Sequence, residues 1–149
     1  MKKNNVHDYA VSAFKLYAKD GKIPSGELLE KLKQSRREYL RYTASNKCLK
    51  IKARKMSAET QKIRSVYLDA IAIERAVLKP ENEKDRLILK CVEKVYFTIG
   101  AYGDRKGRTQ ALVTSCSMDL NISDSLVYQY LAEAVRRFCR ERGLRMEEV

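Results

Sequence analysis

The sequence is poor in the residues that build metal sites, tight turns and irregular folds. Histidine occurs once, as His7, and the four cysteines include no closely spaced pair, so we expect no metal site. Proline occurs twice and glycine six times. No segment alternates apolar and polar residues for long, whereas several segments repeat apolar residues at helical spacing. The sequence therefore predicts an all-α protein in which Cys91, Cys116 and Cys139 are buried free thiols.

The motifs of the common enzyme classes are absent as well. The sequence contains no glycine-rich phosphate loop ending in Lys-Ser or Lys-Thr, no His-Glu-x-x-His zinc motif and no nucleophile elbow. Asp69 and Glu74 lie on one predicted helix, but they are five residues apart and do not share a face well. We therefore expect no enzymatic activity and no cofactor.

Long apolar runs are missing from the chain. None approaches the length of about 20 residues that a membrane-spanning helix needs. The N-terminal residues MKKNN lead into His7 and Asp8, where a secretory signal would have an apolar core. These features predict a cytoplasmic protein with no membrane partner.

Basic residues, in contrast, are abundant. Lys and Arg number 31 and Asp and Glu number 19, which gives a formal net charge of +12. Such an excess favours a polyanionic partner, most often a nucleic acid. A basic protein with no such partner remains the alternative at this point.

Residues 110–138 predict two helices joined by a short turn at 120–123. Asn121 is one of the few non-glycine residues that enter the left-handed conformation at modest cost, and Ser123 can cap the second helix. Apolar residues on both sides of the turn recur at spacings of three and four, as in packed helices. The pattern predicts a DNA-binding helix-turn-helix, although ordinary packing of two helices gives a similar pattern. The outward residues placed to reach base edges are Asp124, Ser125, Tyr128, Gln129 and Ala132, and all of these except Ala132 are predicted DNA contacts together with Ser123.

Basic residues bracket this pair of helices. The connection 98–109 contains three glycines and predicts a flexible loop, whose cations can contact phosphates. The cations near the end of the second helix have an alternative role, which is to complement the helix dipole. Together the two groups favour double-stranded DNA as the partner. The predicted contacts are Arg105, Lys106 and Arg108 from the loop, and Arg136 and Arg137 from the helix.

An N-terminal helical module is predicted for residues 1–79. Its first helix covers 5–19 and carries an apolar stripe that includes Ala10, Phe14 and Tyr17, and Gly21 suits the C-terminal cap of that helix. Serines at positions 25 and 57 are predicted to cap the second and third helices. The third helix carries an apolar seam that packs either within the chain or against a second copy in a homodimer. The residues of that seam are Ile63, Val66, Ala70, Ile73 and Val77.

A strongly basic segment separates the second predicted helix from the third. Between Lys31 and Lys55 the chain has ten Lys or Arg residues and one acidic residue, Glu38. The part at 43–56 shows little periodicity and predicts a loop or an arm. Such an arm could lie along a phosphate backbone, and a solvated charged surface is the equal alternative.

Pro80 predicts a domain boundary, because proline cannot continue a helix and disfavours helical geometry in the residue before it. A fourth helix is predicted for residues 83–97. It would support the two helices of the motif, so residues 80–149 are predicted to form a three-helix DNA-binding domain.

The segment SDSLVYQYLAEAVRRF, at 123–138, resembles the recognition-helix stretch of sigma-factor region four. In that region a serine cap, a second serine, a valine and an alanine recur at this spacing, and they correspond here to Ser123, Ser125, Val127 and Ala134. The layout of the chain, with the segments VHDYAVSAFKLYAK and YLDAIAIERAV, is similar to phage-encoded late transcription activators of the RinA and ArpU type. These are small basic helical proteins that end in a sigma-like helix-turn-helix.

The resemblance implies sequence-specific DNA binding in a bacterial host cell and contact with RNA polymerase. It also implies base-reading roles for Ser125, Tyr128 and Gln129. We therefore expect a phage or prophage transcriptional regulator that inserts the helix at 123–142 into the major groove. A DNA-packaging protein of the small-terminase type, which should form a ring, is one alternative. A helical interaction module without nucleic acid is the other.

Overall fold

The structure is a computed structural model that describes residues 3–145. Residues 1–2 and 146–149, which the predicted domains include at their ends, lie outside the described residues. Every regular element between positions 3 and 145 is helical, which confirms the predicted all-α class. The elements are α1 (Lys3–Lys19), α2 (Ser25–Thr43), α3 (Lys50–Ala76), α4 (Glu83–Val92), a π-helical turn (Glu93–Phe97), α5 (Thr98–Tyr102), α6 (Arg108–Leu120) and α7 (Asp124–Arg142).

The chain divides into two compact units, but not at Pro80. One unit combines Met1–Lys22 with Ile71–Val149, and the other is Ile23–Ala70. The predicted division into residues 1–79 and 80–149 therefore differs from the structure in the placement of α1 and of the end of α3. Both of these segments belong with the C-terminal helices.

Phe14 shows why α1 belongs to the larger unit. Its ring is fully buried, and its centroid lies 5.5 Å from that of Phe138 on α7. It also stacks on Tyr96 at 5.8 Å and contacts Phe97 at 6.4 Å, both in the π-helical turn. The apolar stripe of α1, which the sequence predicts correctly, thus supplies one wall of the core around α7. Such a distant pairing leaves no local signal in the sequence.

The helix that starts at Glu83 runs further than predicted. The sequence places its end near Phe97 and a flexible loop from Thr98, yet the chain stays helical to Tyr102. The π-helical turn at Glu93–Phe97 adjusts the register, and the Thr98 hydroxyl donates a 3.0 Å hydrogen bond to the Glu93 carbonyl. Gly100 is therefore helical, and its lack of a side chain lets α5 approach the backbone of Lys15 on α1.

Two predicted caps in the smaller unit are wrong. The N-cap of α2 is Pro24, with no side-chain cap bond, and Ser25 is already the first helical residue. Ser57 lies inside α3, which begins seven residues earlier, at Lys50. The predicted basic loop at 43–56 is thus reduced to residues 44–49, and the rest of it is helix.

The apolar seam of α3 contributes to the packing within the chain. Ala70, Ile73 and Val77 are buried, and Ile73 and Val77 belong to the core of the larger unit. Ile63 and Val66 are half-buried. The C-terminal half of the seam therefore packs within the chain, as in the first of the two alternatives.

Candidate nucleic-acid interface

The turn between α6 and α7 has the geometry that its sequence predicts. Asn121 adopts the left-handed conformation, with φ 54° and ψ 48°. The Ile122 N–H donates to the Ser117 carbonyl at 3.1 Å, and the Asn121 N–H donates to the Met118 carbonyl at 3.4 Å. These two bonds form a Schellman motif, which satisfies carbonyls at the end of α6. The Ser117 hydroxyl also donates to the Ile122 carbonyl at 2.6 Å, so the Ser117 side chain links the end of α6 to the turn.

The start of α7 is capped as predicted. The Ser123 hydroxyl accepts a 3.1 Å hydrogen bond from the Leu126 N–H. The half-buried carboxylate of Asp124 accepts a long hydrogen bond, 3.4 Å, from the Thr114 hydroxyl on α6. Ser123 and Asp124 thus order the junction of the two helices. Their side chains are engaged there, which weakens the prediction that they contact a ligand.

The inner faces of α6 and α7 share a buried apolar interface with α4. Val113, Val127 and Leu131 are buried, and the Cys116 thiol lies 3.8 Å from the Cys91 thiol. Burial and the neighbouring Cys116 raise the pKa of Cys91 to about 12. Burial also raises the pKa of Cys116, so neither thiol forms a nucleophilic thiolate at neutral pH. These contacts and the burial of Cys139 confirm the predicted buried free thiols.

The outer face of α7 presents a group of polar side chains beside α6. Ser125 and Gln129 are exposed, and Tyr128 is 43% exposed. The Tyr128 hydroxyl donates a 2.7 Å hydrogen bond to the amide oxygen of Gln110 on α6. Gln110 is a member of this surface that the sequence analysis missed. Its signal was its position on the first turn of α6, opposite the apolar residues of that helix.

The loop before α6 is short, with a glycine at each end. It runs from Gly103 to Gly107, which both have positive φ, and its Asp104 forms an ion pair with Lys15 at 3.6 Å. The side chains of Arg105 and Lys106 are exposed. Of the three cations predicted for this loop, these two are accessible to a phosphate. The third, Arg108, lies outside the loop.

Arg108 is the first residue of α6 and is half-buried. Its Nε atom is buried without a hydrogen-bond partner among the described residues. A buried unpaired donor is costly, so an acceptor that reached this atom would be favoured. The N-cap of α6 is Gly107, which has no side chain and so makes no side-chain cap bond to the first N–H groups of α6.

The two arginines predicted as contacts on α7 differ sharply. Arg136 is exposed and pairs with Glu133 at 2.8 Å. Arg137 is half-buried and forms an ion pair with Asp85 of α4 at 2.9 Å and a second one with Glu133 at 3.3 Å. The Arg137 guanidinium thus joins α7 to α4, which weakens the prediction that Arg137 contacts DNA.

Asp85 is the centre of that junction. Its N–H donates to the Asn82 side chain, which caps α4, and its carboxylate accepts a 3.2 Å hydrogen bond from the Glu81 N–H. That backbone bond and the Arg137 guanidinium lower the pKa of Asp85. Burial acts to raise the pKa of Glu133, but hydrogen bonds from Arg136 and Arg137 outweigh it and lower the pKa.

Acid should weaken this junction in a defined range. The ordinary pKa values of Asp85 and Glu133 are 3.8 and 4.5, and the folded values lie below them. The stabilisation that these two carboxylates give the folded protein is therefore complete at pH values above their ordinary pKa. It is lost as the pH falls through their pKa values in the folded protein. We expect the free energy of unfolding to decrease as the pH is lowered below about 4. At neutral pH, Asp85→Asn should lower the free energy of unfolding by about 2 kcal/mol.

Urea denaturation at a series of pH values measures both effects. Glu83→Gln is the matched control, because Glu83 is an exposed carboxylate on the same helix turn that pairs only with its neighbour Arg86 among the described residues. The acid-dependent loss should be smaller in Asp85→Asn than in the control. An equal loss in the two variants would contradict the role of Asp85.

Comparison of the chain with protein-family models, with curated proteins and with solved structures finds no match. Between positions 3 and 145, no helix is long and apolar enough to cross a membrane. The same residues contain no group of three or more His, Cys, Asp or Glu side chains that could hold a metal ion. The chemistry of the surface on α6 and α7 therefore has to be inferred from its own geometry.

Proposed function

We propose that the chain binds double-stranded DNA through α6 and α7 and regulates transcription. The observation that carries the proposal is the outer face of α7, where Ser125, Tyr128 and Gln129 are exposed beside a capped, tightly bonded turn. A helix held in this way by a preceding helix is the arrangement with which helix-turn-helix proteins enter the major groove. The resemblance of 123–138 to sigma-factor region four supports the regulatory part of the proposal.

Positive charge around this face supports DNA as the ligand. Arg105 and Lys106 precede α6, and the N-terminus of α6 offers backbone N–H groups to an anion. Arg108, the first residue of α6, adds a third cation beside these groups. In this arrangement the loop and the start of α6 fix the protein on the backbone, and α7 reads the bases.

Within α7, Gln129 is the residue best suited to base recognition. It is exposed, and its amide can donate to and accept from the two exposed groups of an adenine at once. Tyr128 is held by Gln110, so its ring edge is fixed and can meet a thymine methyl group or a phosphate. Gln110, on the neighbouring helix α6, would position Tyr128 and would itself lie close to the DNA backbone.

Replacing Gln129 by alanine should reduce specificity without affecting the fold. The preferred duplex is first selected from a random DNA pool, and affinity is then measured by fluorescence anisotropy. We expect a loss of about 1–3 kcal/mol on the selected duplex and little change on random duplex. An equal loss on both duplexes would show that Gln129 only contacts the backbone.

The double variant Arg105→Ala and Lys106→Ala provides the contrast. Both side chains are exposed, so the fold should be unchanged. Affinity should fall by a similar factor on both duplexes, and the dependence of affinity on salt should become shallower. If wild-type protein showed no salt-dependent binding to any duplex, the proposed function would be wrong.

A further inference from the structure

A second surface with unusual chemistry lies where α2 ends and α3 begins. We call residues 36–55 the hairpin tip. It contains one acidic residue, Glu38, and eight basic residues, all of them exposed. The basic residues are Arg36, Arg37, Arg41, Lys47, Lys50, Lys52, Arg54 and Lys55.

The hairpin tip also exposes aliphatic side chains, which is unusual for so charged a surface. Leu40, Leu49 and Ile51 are 65%, 67% and 71% exposed. Leu49 and Ile51 line a shallow concavity of about 610 Å³ together with Lys50, Lys52 and Lys55. The stems of these lysines extend the apolar floor, while their ammonium groups surround it. The result is an apolar depression with a cationic rim.

Internal contacts fix the shape of the hairpin tip. The Leu49 N–H donates a 2.9 Å hydrogen bond to the Tyr42 hydroxyl. The Lys52 ammonium lies 4.7 Å from the centre of the Tyr42 ring, in cation–π contact. The Thr43 hydroxyl donates to the Tyr39 carbonyl at 2.9 Å and closes the end of α2. A ligand would therefore meet a preformed surface and would lose little free energy in ordering it.

The chemistry of the hairpin tip argues against three kinds of partner. A second copy would bring its own eight cations against these eight, so self-association is disfavoured. DNA phosphates would pair with the cations but offer nothing to Leu49 and Ile51. A lipid surface would suit a protruding apolar group, whereas Leu49 and Ile51 line a depression that can receive a side chain.

We propose that the hairpin tip docks an acidic, amphipathic segment of a partner protein. An apolar side chain of the partner fills the depression between Leu49 and Ile51, and flanking Asp or Glu side chains pair with the surrounding lysines and arginines. This is helix-in-groove recognition combined with electrostatic steering. The proposal does not depend on DNA binding by α6 and α7, since the hairpin tip belongs to the other compact unit.

The test uses the full chain and a fluorescent peptide that forms a helix with leucines on one face and glutamates on the other. The double variant Leu49→Ser and Ile51→Ser removes the apolar floor, and both residues are exposed enough to leave the fold intact. Leu16→Ser, at an exposed leucine of α1, is its matched control. Anisotropy should show peptide affinity reduced about tenfold or more in the double variant and unchanged in the control.

A charge variant tests the rim. Lys50→Glu with Lys55→Glu should also weaken peptide binding, while Lys31→Glu with Lys62→Glu, at exposed sites outside the hairpin tip, should weaken it less. Circular dichroism of each variant is the control for folding, and all the spectra should match that of the wild-type protein. Affinity for the selected DNA duplex should be the same in wild-type protein and in the Leu49→Ser, Ile51→Ser variant, which separates this proposal from the proposed function.

Three results would overturn the proposal. The first is equal binding of the peptide by wild-type protein and by the Leu49→Ser, Ile51→Ser variant, which would reduce the interaction to charge alone. The second is tighter binding of wild-type protein to phosphatidylserine vesicles than to the peptide, lost in the same variant, which would assign the surface to lipid. The third is loss of duplex DNA binding in that variant, which would assign it to nucleic acid.

Discussion

Replacing Gly100 by alanine should destabilise the larger unit more than any other substitution in the chain that adds or removes a single methyl group. A Cβ atom at this position would overlap the backbone carbonyl of Lys15 on α1, and backbone cannot rotate away as a flexible side chain can. α5 and α1 would have to separate, which would loosen the core beneath them. We expect a loss of about 3 kcal/mol or more, and a melting temperature lower by about 10 °C.

Gly26→Ala is the matched control for Gly100→Ala. Gly26 is also helical, but nothing lies within 4 Å of a Cβ atom built there. Alanine at this position should stabilise the chain by about 0.5 kcal/mol, because it restricts the unfolded state. Thermal denaturation followed by circular dichroism distinguishes the two. Equal melting temperatures for the two variants would mean that the helices do not cross at Gly100.

A fragment that begins at Asn82 should fail to fold by itself. It retains α4 to α7 but loses α1, and with it Phe14, which fills the centre of the core between the π-helical turn and α7. Without α1, the rings of Tyr96 and Phe138 are exposed to water. Removal of a buried Phe side chain alone lowers the free energy of unfolding by about 3–5 kcal/mol. That is a large part of the stability of a small domain.

The complementary chain should fold. In it a long flexible linker replaces residues 23–70, so that Met1–Lys22 and Ile71–Val149 are retained together. Its amide spectrum should be well dispersed and its thermal unfolding cooperative, whereas the fragment from Asn82 should show neither property. A well-dispersed spectrum from the shorter fragment would instead support the boundary that Pro80 suggests in the sequence.

Local chemistry made part of this structure predictable. The stripe of α1 is visible because Phe14 and its neighbours are buried at helical spacing. Asn121 and Ser123 were predictable because the left-handed turn and the cap depend on the residue itself. In these cases the physical cause lies within a few residues of the feature.

The differences between prediction and structure arise where burial or a distant partner, and not the local sequence, decides the outcome. The start of α3 was missed because Leu49 and Ile51 are exposed, so no buried stripe marks this turn of helix. Gly100 suggested a loop, but it serves a crossing with a helix 85 positions earlier in the sequence. Arg136 and Arg137 look alike in sequence, yet a rotation of about 100° along the helix turns one to solvent and the other to Asp85. Only the packing of α4 on α7 decides between them.

Mapping a DNA complex by nuclear magnetic resonance tests the central claim most directly. Duplex selected from a random pool is added to ¹⁵N-labelled protein at low salt, and changes in the amide signals are assigned to residues. Binding as proposed should confine the largest changes to the loop 103–107, the first turn of α6, and residues 121–129. Absence of changes at low salt, or changes centred on the hairpin tip, would contradict DNA recognition by α6 and α7.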